Sequence, residues 1–271
     1  MANRYKFFDE KGEHRHELDG KPLIGTSTVL SVLSKPLTWW ASGLAVAELG
    51  WLNSKTNDQN KRIENVRSHL EKIKTLDEVE YLNLLDKAYK AHSVKLKTSA
   101  ESGIDMHAEL EKYVKWCQKH NGGIPAPTMS KHEAVKIFAG WSVNHLNRFI
   151  VSEGHCYSEK LWVGGIIDCV AESKERKIGI IDFKSAKEAY FSHFMQCAGY
   201  DIEITENGVY DEHGKNLYEL ERPIEFYAVF PFGMEKPEPT FDYNTKEAKE
   251  AFEAALKLYK IINQNRNSEK F

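Results

Sequence analysis

The sequence is poor in the features that mark a special environment. Only four cysteines occur in 271 residues, Cys117, Cys156, Cys169 and Cys197, and no two form a C-x-x-C pair. A zinc ribbon or a cysteine-ligated iron-sulfur cluster is therefore not expected, and an intracellular setting favours free, buried thiols. Long apolar runs are missing. Nothing approaches the roughly 18 uninterrupted residues a membrane span needs, and the start, MANRYKFFDE, lacks the apolar core of a signal peptide. A cytoplasmic protein with no membrane partner is the expectation. There is no G-x-x-x-x-G-K-[ST] loop, so no fused ATP-driven motor is implied. Basic charge is not in excess either: 37 Lys plus Arg stand against 40 Asp plus Glu, a net −3. Bulk charge gives no reason to expect a protein that coats nucleic acid, although a local basic track stays open.

What is present is an ordinary globular composition, 41% hydrophobic and 28% charged. At this length a chain can bury about three quarters of its unfolded surface, so one large domain is affordable. Charge is distributed unevenly. Residues 53 to 97 hold ten Lys or Arg against seven Asp or Glu, whereas 201 to 271 hold nine against fifteen. Solvated helix surface explains both counts most simply.

Turn signals at Lys11-Gly12 and Asp19-Gly20 predict a small β-hairpin near the start. Thr26, Ser27 or Thr28 is then placed to cap a helix carrying Val29, Leu30, Val32 and Leu33. Helical patterns fill the stretch to about residue 97, with a break near 53–60. A helix from about Ser99 to His120 is expected because Gly103, His107, Leu110, Val114 and Cys117 recur at spacings of four and three. His107 thus shares the apolar face. A second helix is expected over 131–150. Three strands follow, roughly 156–163, 165–172 and 177–184, broken by Gly164-Gly165 and by the polar turn SKERK. A helix over about 187–204, a strand at 224–230 and a last helix over about 245–263 complete an α/β order of elements.

The central hairpin carries the chemistry. A turn centred on Glu175 pairs Val170 with Ile180 and sets Asp168 opposite Asp182. Opposed side chains in an antiparallel pair lie roughly 5 Å apart, where like charges repel, and a cation between them removes that cost. Ile178, Ile180, Asp182 and Lys184 share one strand face, while Gly179, Ile181 and Phe183 share the other. Both faces are apolar, so the strand is expected to be covered on both sides. Carboxylates buried there call for pairing or a hard cation such as Mg2+ or Mn2+. Lys184 stands on the Asp182 face, about 7 Å along, where an ammonium can stabilise a developing negative charge. An Asp-x-Lys by itself is most often a surface ion pair.

Its company changes that weighting. Gly165-Ile166-Ile167-Asp168, then Ile181-Asp182-Phe183-Lys184-Ser185, then Gln196 and Tyr200 four apart on the next helix, resemble the PD-(D/E)xK nuclease superfamily in its RecB-like exonuclease branch. Gly103-Ile104-Asp105-Met106-His107 with Glu111 looks like that branch's G-T-x-x-H helix, with Ile104 in place of the usual threonine. Ser27-Thr28-Val29 through Trp39-Trp40 is similar to the N-terminal helical region of phage and organellar members.

The resemblance implies a restriction-endonuclease-like α/β core, a central mixed sheet flanked by helices, with residues 99–271 as the core and 1–98 as a hairpin and helical region of the same domain. It implies a Mg2+- or Mn2+-dependent deoxyribonuclease, an exonuclease before an endonuclease, hydrolysing phosphodiester bonds with a metal-activated water. His107, Asp168, Asp182 and the main-chain carbonyl of Phe183 would ligate the ion, with Glu159 in support. Lys184 would be the catalytic lysine, and Gln196 and Tyr200 would border the site. The expected partners are DNA, single-stranded or with free ends, and a recombination or replication protein, in a bacterial or phage-infected cell. Trp39, Trp40 and Trp51 in the basic N-terminal half could stack on unpaired bases. The rival reading is a DNA-binding or protein-interaction module that keeps the fold without turnover.

Overall fold

The computed structural model describes residues 4–10, 13–33, 37–52, 58–234 and 236–268. The Lys11-Gly12 turn and most of the break expected at 53–60 lie outside them. The chain divides into two compact units: residues 1–34 with 104–271, and residues 35–103. The hairpin and helical region expected over 1–98 is thus shared between the two units, its first 34 residues lying with the larger one.

In the larger unit, β1 (Tyr5–Glu10), β2 (Glu13–Leu18) and β3 (Lys21–Pro22) form a small antiparallel sheet, its β2–β3 turn carrying Asp19 and Gly20 at positive φ. The main sheet has eight strands among the described residues. β5 (Leu146–Ser158), β6 (Val163–Ser173) and β7 (Ile178–Lys184) form an antiparallel meander at its centre. β10 (Ile224–Pro231) runs parallel to β7, and β11 (Thr240–Asp242) pairs antiparallel with β10 at one edge. β8 (Val209–Tyr210) and β9 (Asn216–Tyr218) extend the β5 edge, and β4 (Ile24–Gly25) adds to β6. The sheet is mixed and flanked by helices, as the α/β reading requires.

Each face of the sheet buries its own apolar cluster. On one side α6 (Phe191–Asn207) and α7 (Thr245–Ser268) pack Phe194, Tyr200, Ile204 and Phe252 against Ile167, Val170, Ile178 and Ile180. On the other, Leu110, Val114 and Cys117 of α4 (Glu78–Asn121) and Phe138 of α5 (Glu133–His145) meet Cys169, Ile181, Phe183 and Phe230. Strand β7 therefore alternates between two cores, as its pattern foretold, and all four cysteines are buried and unpaired.

Several boundaries differ from the sequence reading, and the helix expected from about Ser99 to His120 is the end of a longer one that starts at Glu78. The helix expected to reach residue 150 ends at His145, and the first central strand starts ten residues earlier than expected, at Leu146. The turn between β5 and β6 lies at 159–162, and Gly164-Gly165 sits inside β6 instead of breaking it. Close approach is the reason: a Cβ on Gly165 would fall 2.6 Å from the Tyr200 ring and 2.9 Å from Thr26 Oγ1. The expected threonine or serine cap is also absent. The short helix α1 (Thr26–Val29) has Gly25 as N-cap with no side-chain bond, because the Thr26 hydroxyl donates to Glu203 of α6.

The smaller unit holds α2 (Thr38–Glu48), α3 (Gln59–Lys74) and α4 as far as Gly103. Asp58 caps α3 by accepting from Asn60 and Lys61 N–H, and Asp77 and Glu80 cap α4 reciprocally at 2.8 and 3.1 Å. Trp39 is 89% exposed, and Trp40 and Trp51 are exposed as well.

Candidate metal centre

Strands β6 and β7 pair from Glu172↔Ile178 to Cys169↔Ile181, the register set by a turn centred on Glu175. Asp168 comes next, and its carboxylate stands in for a ladder partner: Oδ2 accepts the Phe183 N–H at 2.6 Å. β7 meanwhile stays paired with β10 through Val229↔Asp182, Phe230↔Phe183 and Pro231↔Lys184, and the Lys184 carbonyl accepts from Phe232 N–H. Asp182 and Lys184 are thus held on a strand pinned from one side, with Asp168 bridging on the other.

Lys184 Nζ donates to Asp182 Oδ1 at 2.8 Å and lies 2.7 Å from Oδ2. Oδ2 is buried and has no aligned hydrogen bond despite that proximity. Asp182 is 1% exposed and its acidity is weakened, to a pKa of about 6, first by burial. Burial likewise raises Asp168, while the Lys184 ammonium and the Phe183 N–H pull it back. For Lys184 burial acts downward, but the two carboxylates prevail and hold its pKa above the ordinary lysine value.

His107, on the inner face of α4, brings Nδ1 to 3.9 Å from Asp168 Oδ1, too long for a hydrogen bond. Burial and the nearby Lys184 charge lower its pKa, so the ring is neutral at pH 7 and has a lone pair to give. The ring meets Phe183 edge-on, with centroids 6.0 Å apart. Gln196 Nε2 donates to Tyr200 OH at 2.7 Å, which leaves the phenol proton free to point elsewhere. Tyr200 is buried and its pKa is raised, first by burial and then by Asp182 and Asp168, so it keeps that proton. His193, one turn before Gln196, is pushed down to about 4 by burial and by Lys184.

The structure does not bring Glu159 to this cluster. It lies in the β5–β6 turn, where its Oε1 accepts from Arg4 Nη1 at 2.9 Å. The acidic residue that does arrive from β5 is Glu153. It sits between the pairs Ser152↔Cys169 and Gly154↔Ile167, hence across from Asp168, with φ at +50°. A non-glycine residue in that region costs about 1 to 3 kcal/mol and is held there by its surroundings. Burial and then the Asp168 charge push its pKa to about 8. The sequence carried a signal for it: a turn at 159–162 instead of Gly164-Gly165 sets Glu153 opposite Asp168.

His107, Glu153 and Asp168 each offer a ligand atom, and these atoms lie within 4.8 Å of one another. A cation about 2.0 to 2.5 Å from each donor spans most of that gap. Two oxygens and a neutral imidazole, beside the Asp182 carboxylate, form a donor set that fits a hard divalent ion. Calorimetric titration with Mn2+ is expected to show binding that weakens at least tenfold in Asp168→Ala and in Glu153→Gln. Equal affinity in Glu153→Gln would remove that residue from the set.

No known protein family matches the chain, and no curated protein is significantly similar to it. Among the described residues no helix is long and apolar enough to cross a membrane.

Proposed function

We propose that the chain is a metal-dependent deoxyribonuclease of PD-(D/E)xK type, an exonuclease acting on DNA strands with free ends. One observation carries this reading: Asp168 and Asp182 converge at the splayed end of a buried hairpin with Lys184 on Asp182, while His107 and Glu153 complete a cation-sized cluster. A structural ion pair needs neither the extra strained carboxylate nor the neutral histidine.

A divalent ion held there supplies Lewis-acid polarisation of a phosphoryl oxygen and of the attacking water. The chain supplies the rest. The Lys184 ammonium, held on Asp182, offsets the negative charge that grows on a phosphate during hydrolysis. Tyr200, its oxygen fixed by Gln196, offers a proton that orients a phosphate oxygen or a water. Buried, unpaired cysteines suit a reducing cytoplasm.

The purified protein is expected to shorten end-labelled DNA in Mg2+ or Mn2+ and to be silent in EDTA. Progressive shortening from one end supports exonuclease action, and internal fragments support endonuclease action. DNA binding without cleavage in either metal would overturn the enzyme and favour a non-catalytic module.

A further inference from the structure

At the other end of the same hairpin, about 16 Å along β7 from Asp182, lies a cleft of about 200 Å³. Its walls are flat rings. Trp141 stacks on His145 with centroids 5.2 Å apart and planes 14° apart. Phe241 and Tyr243 lie nearly coplanar in orientation, 13° apart, and Phe241 faces Trp141 at 5.7 Å. Tyr243 is 62% exposed, so its ring is open to a ligand from solvent. Two lysines and a glutamate edge it: Lys177 Nζ stands 5.4 Å over the Tyr243 ring and pairs with Glu175, while Lys174 is exposed with no carboxylate partner among the described residues. His145 donates Nδ1–H to the Trp141 carbonyl at 2.8 Å, which leaves Nε2 for another hydrogen bond.

We propose that this cleft is a subsite for one nucleotide of a single strand: Trp141 is already stacked between His145 and Phe138, so the base lies on the exposed Tyr243 ring in the place Lys177 now covers, and its phosphate meets Lys174. Flat, π-rich walls select a planar heterocycle without reading its sequence, and the uncompensated ammonium selects an anion next to it. A free phosphate would gain nothing from the rings, and an apolar peptide would leave Lys174 unused. The subsite rests on the nuclease reading only for the identity of the polymer. A strand engaging both places must span several nucleotides, so short oligonucleotides should lose this contact.

The test is fluorescence anisotropy of a labelled oligothymidylate on the full chain in EDTA, with Tyr243→Ala, Tyr243→Phe and Lys174→Glu. Tyr243→Ala and Lys174→Glu are expected to weaken binding about tenfold each, at unchanged thermal midpoint, while Tyr243→Phe binds like the wild type. Wild-type affinity in both Tyr243→Ala and Lys174→Glu would overturn the subsite, even if metal-dependent cleavage is present. Binding that depends on Tyr243 and Lys174 in a protein that never cleaves would sustain the subsite and sink the nuclease. Titration with thymidine monophosphate and with inorganic phosphate separates the two sources of anion. Perturbed Tyr243 ring signals are expected with the nucleotide alone, and equal response to phosphate would overturn the base-stacking role.

Discussion

Lys184→Met and Asp182→Asn are each expected to lower metal-dependent DNA hydrolysis by about 10²- to 10³-fold or more, the scale seen when a charge-stabilising group at a reacting phosphate or carbonyl is removed. The two variants fail for different reasons, and that difference is measurable. In Asp182→Asn the amide oxygen would still accept from the Lys184 ammonium at the position of Oδ1, but the amide NH2 would stand where Oδ2 is now 2.7 Å from that ammonium, so Lys184 turns away from it while the fold survives. The anionic oxygen is lost, and Mn2+ affinity falls with the rate. Lys184→Met leaves Asp182 buried with its nearest positive charge gone, and Asp182 at 1% exposure responds by keeping its proton to higher pH. The double variant Lys184→Met with Asp182→Asn removes that imbalance and restores the thermal midpoint without restoring cleavage. Hydrolysis undiminished in both single variants would remove this hairpin from the chemistry.

The second large effect concerns stability and lies outside the candidate metal cluster. Glu203 of α6 is fully buried; its oxygens accept from the Thr26 hydroxyl and, at 3.0 Å, from the Cys156 thiol. Burial pushes its pKa from 4.5 to about 8. The folded protein therefore binds a proton that the unfolded chain releases between those two values. Stability from this group is fully present below pH 4.5, declines as pH rises towards 8, and stays low above it. At about 1.4 kcal/mol per unit, the whole shift bounds the loss at roughly 5 kcal/mol. Glu203→Gln keeps the shape and cannot ionise. In urea unfolding at several pH values, the difference between variant and wild type is expected to move by a few kcal/mol in the variant's favour between about pH 4 and pH 9. A difference independent of pH would show that Glu203 ionises normally. Glu153 has the same sign, but its ionised form is the one a cation selects, so saturating Mn2+ should flatten its share of the slope.

The helix carrying His107 was legible because its apolar positions repeat at three and four, a pattern that one turn of backbone imposes. The hairpin register was legible because a polar turn between two apolar runs has few centres that keep both faces apolar, and Val170↔Ile180 follows from it. Glu159 and Glu153 were not separable in that way. Both are glutamates on a strand or turn before Gly164-Gly165, and two adjacent glycines read as a break. What leaves no room for side chains there is distant in sequence: the Tyr200 ring and Thr26, on α6 and α1, press on Gly165, and Leu23 and His16 press on Gly164.

By itself, then, the sequence determined the α/β class, the alternation of β7 between two cores and the placing of Asp168, Asp182 and Lys184 at one strand end. These depend on local period and turn chemistry, which neighbouring residues carry. Only the tertiary structure decided that Glu153 stands in the cluster, that Glu159 pairs with Arg4, and that residues 1–34 belong with the core. Those outcomes depend on which distant side chains leave room for a backbone to approach, and no period within a single segment records that.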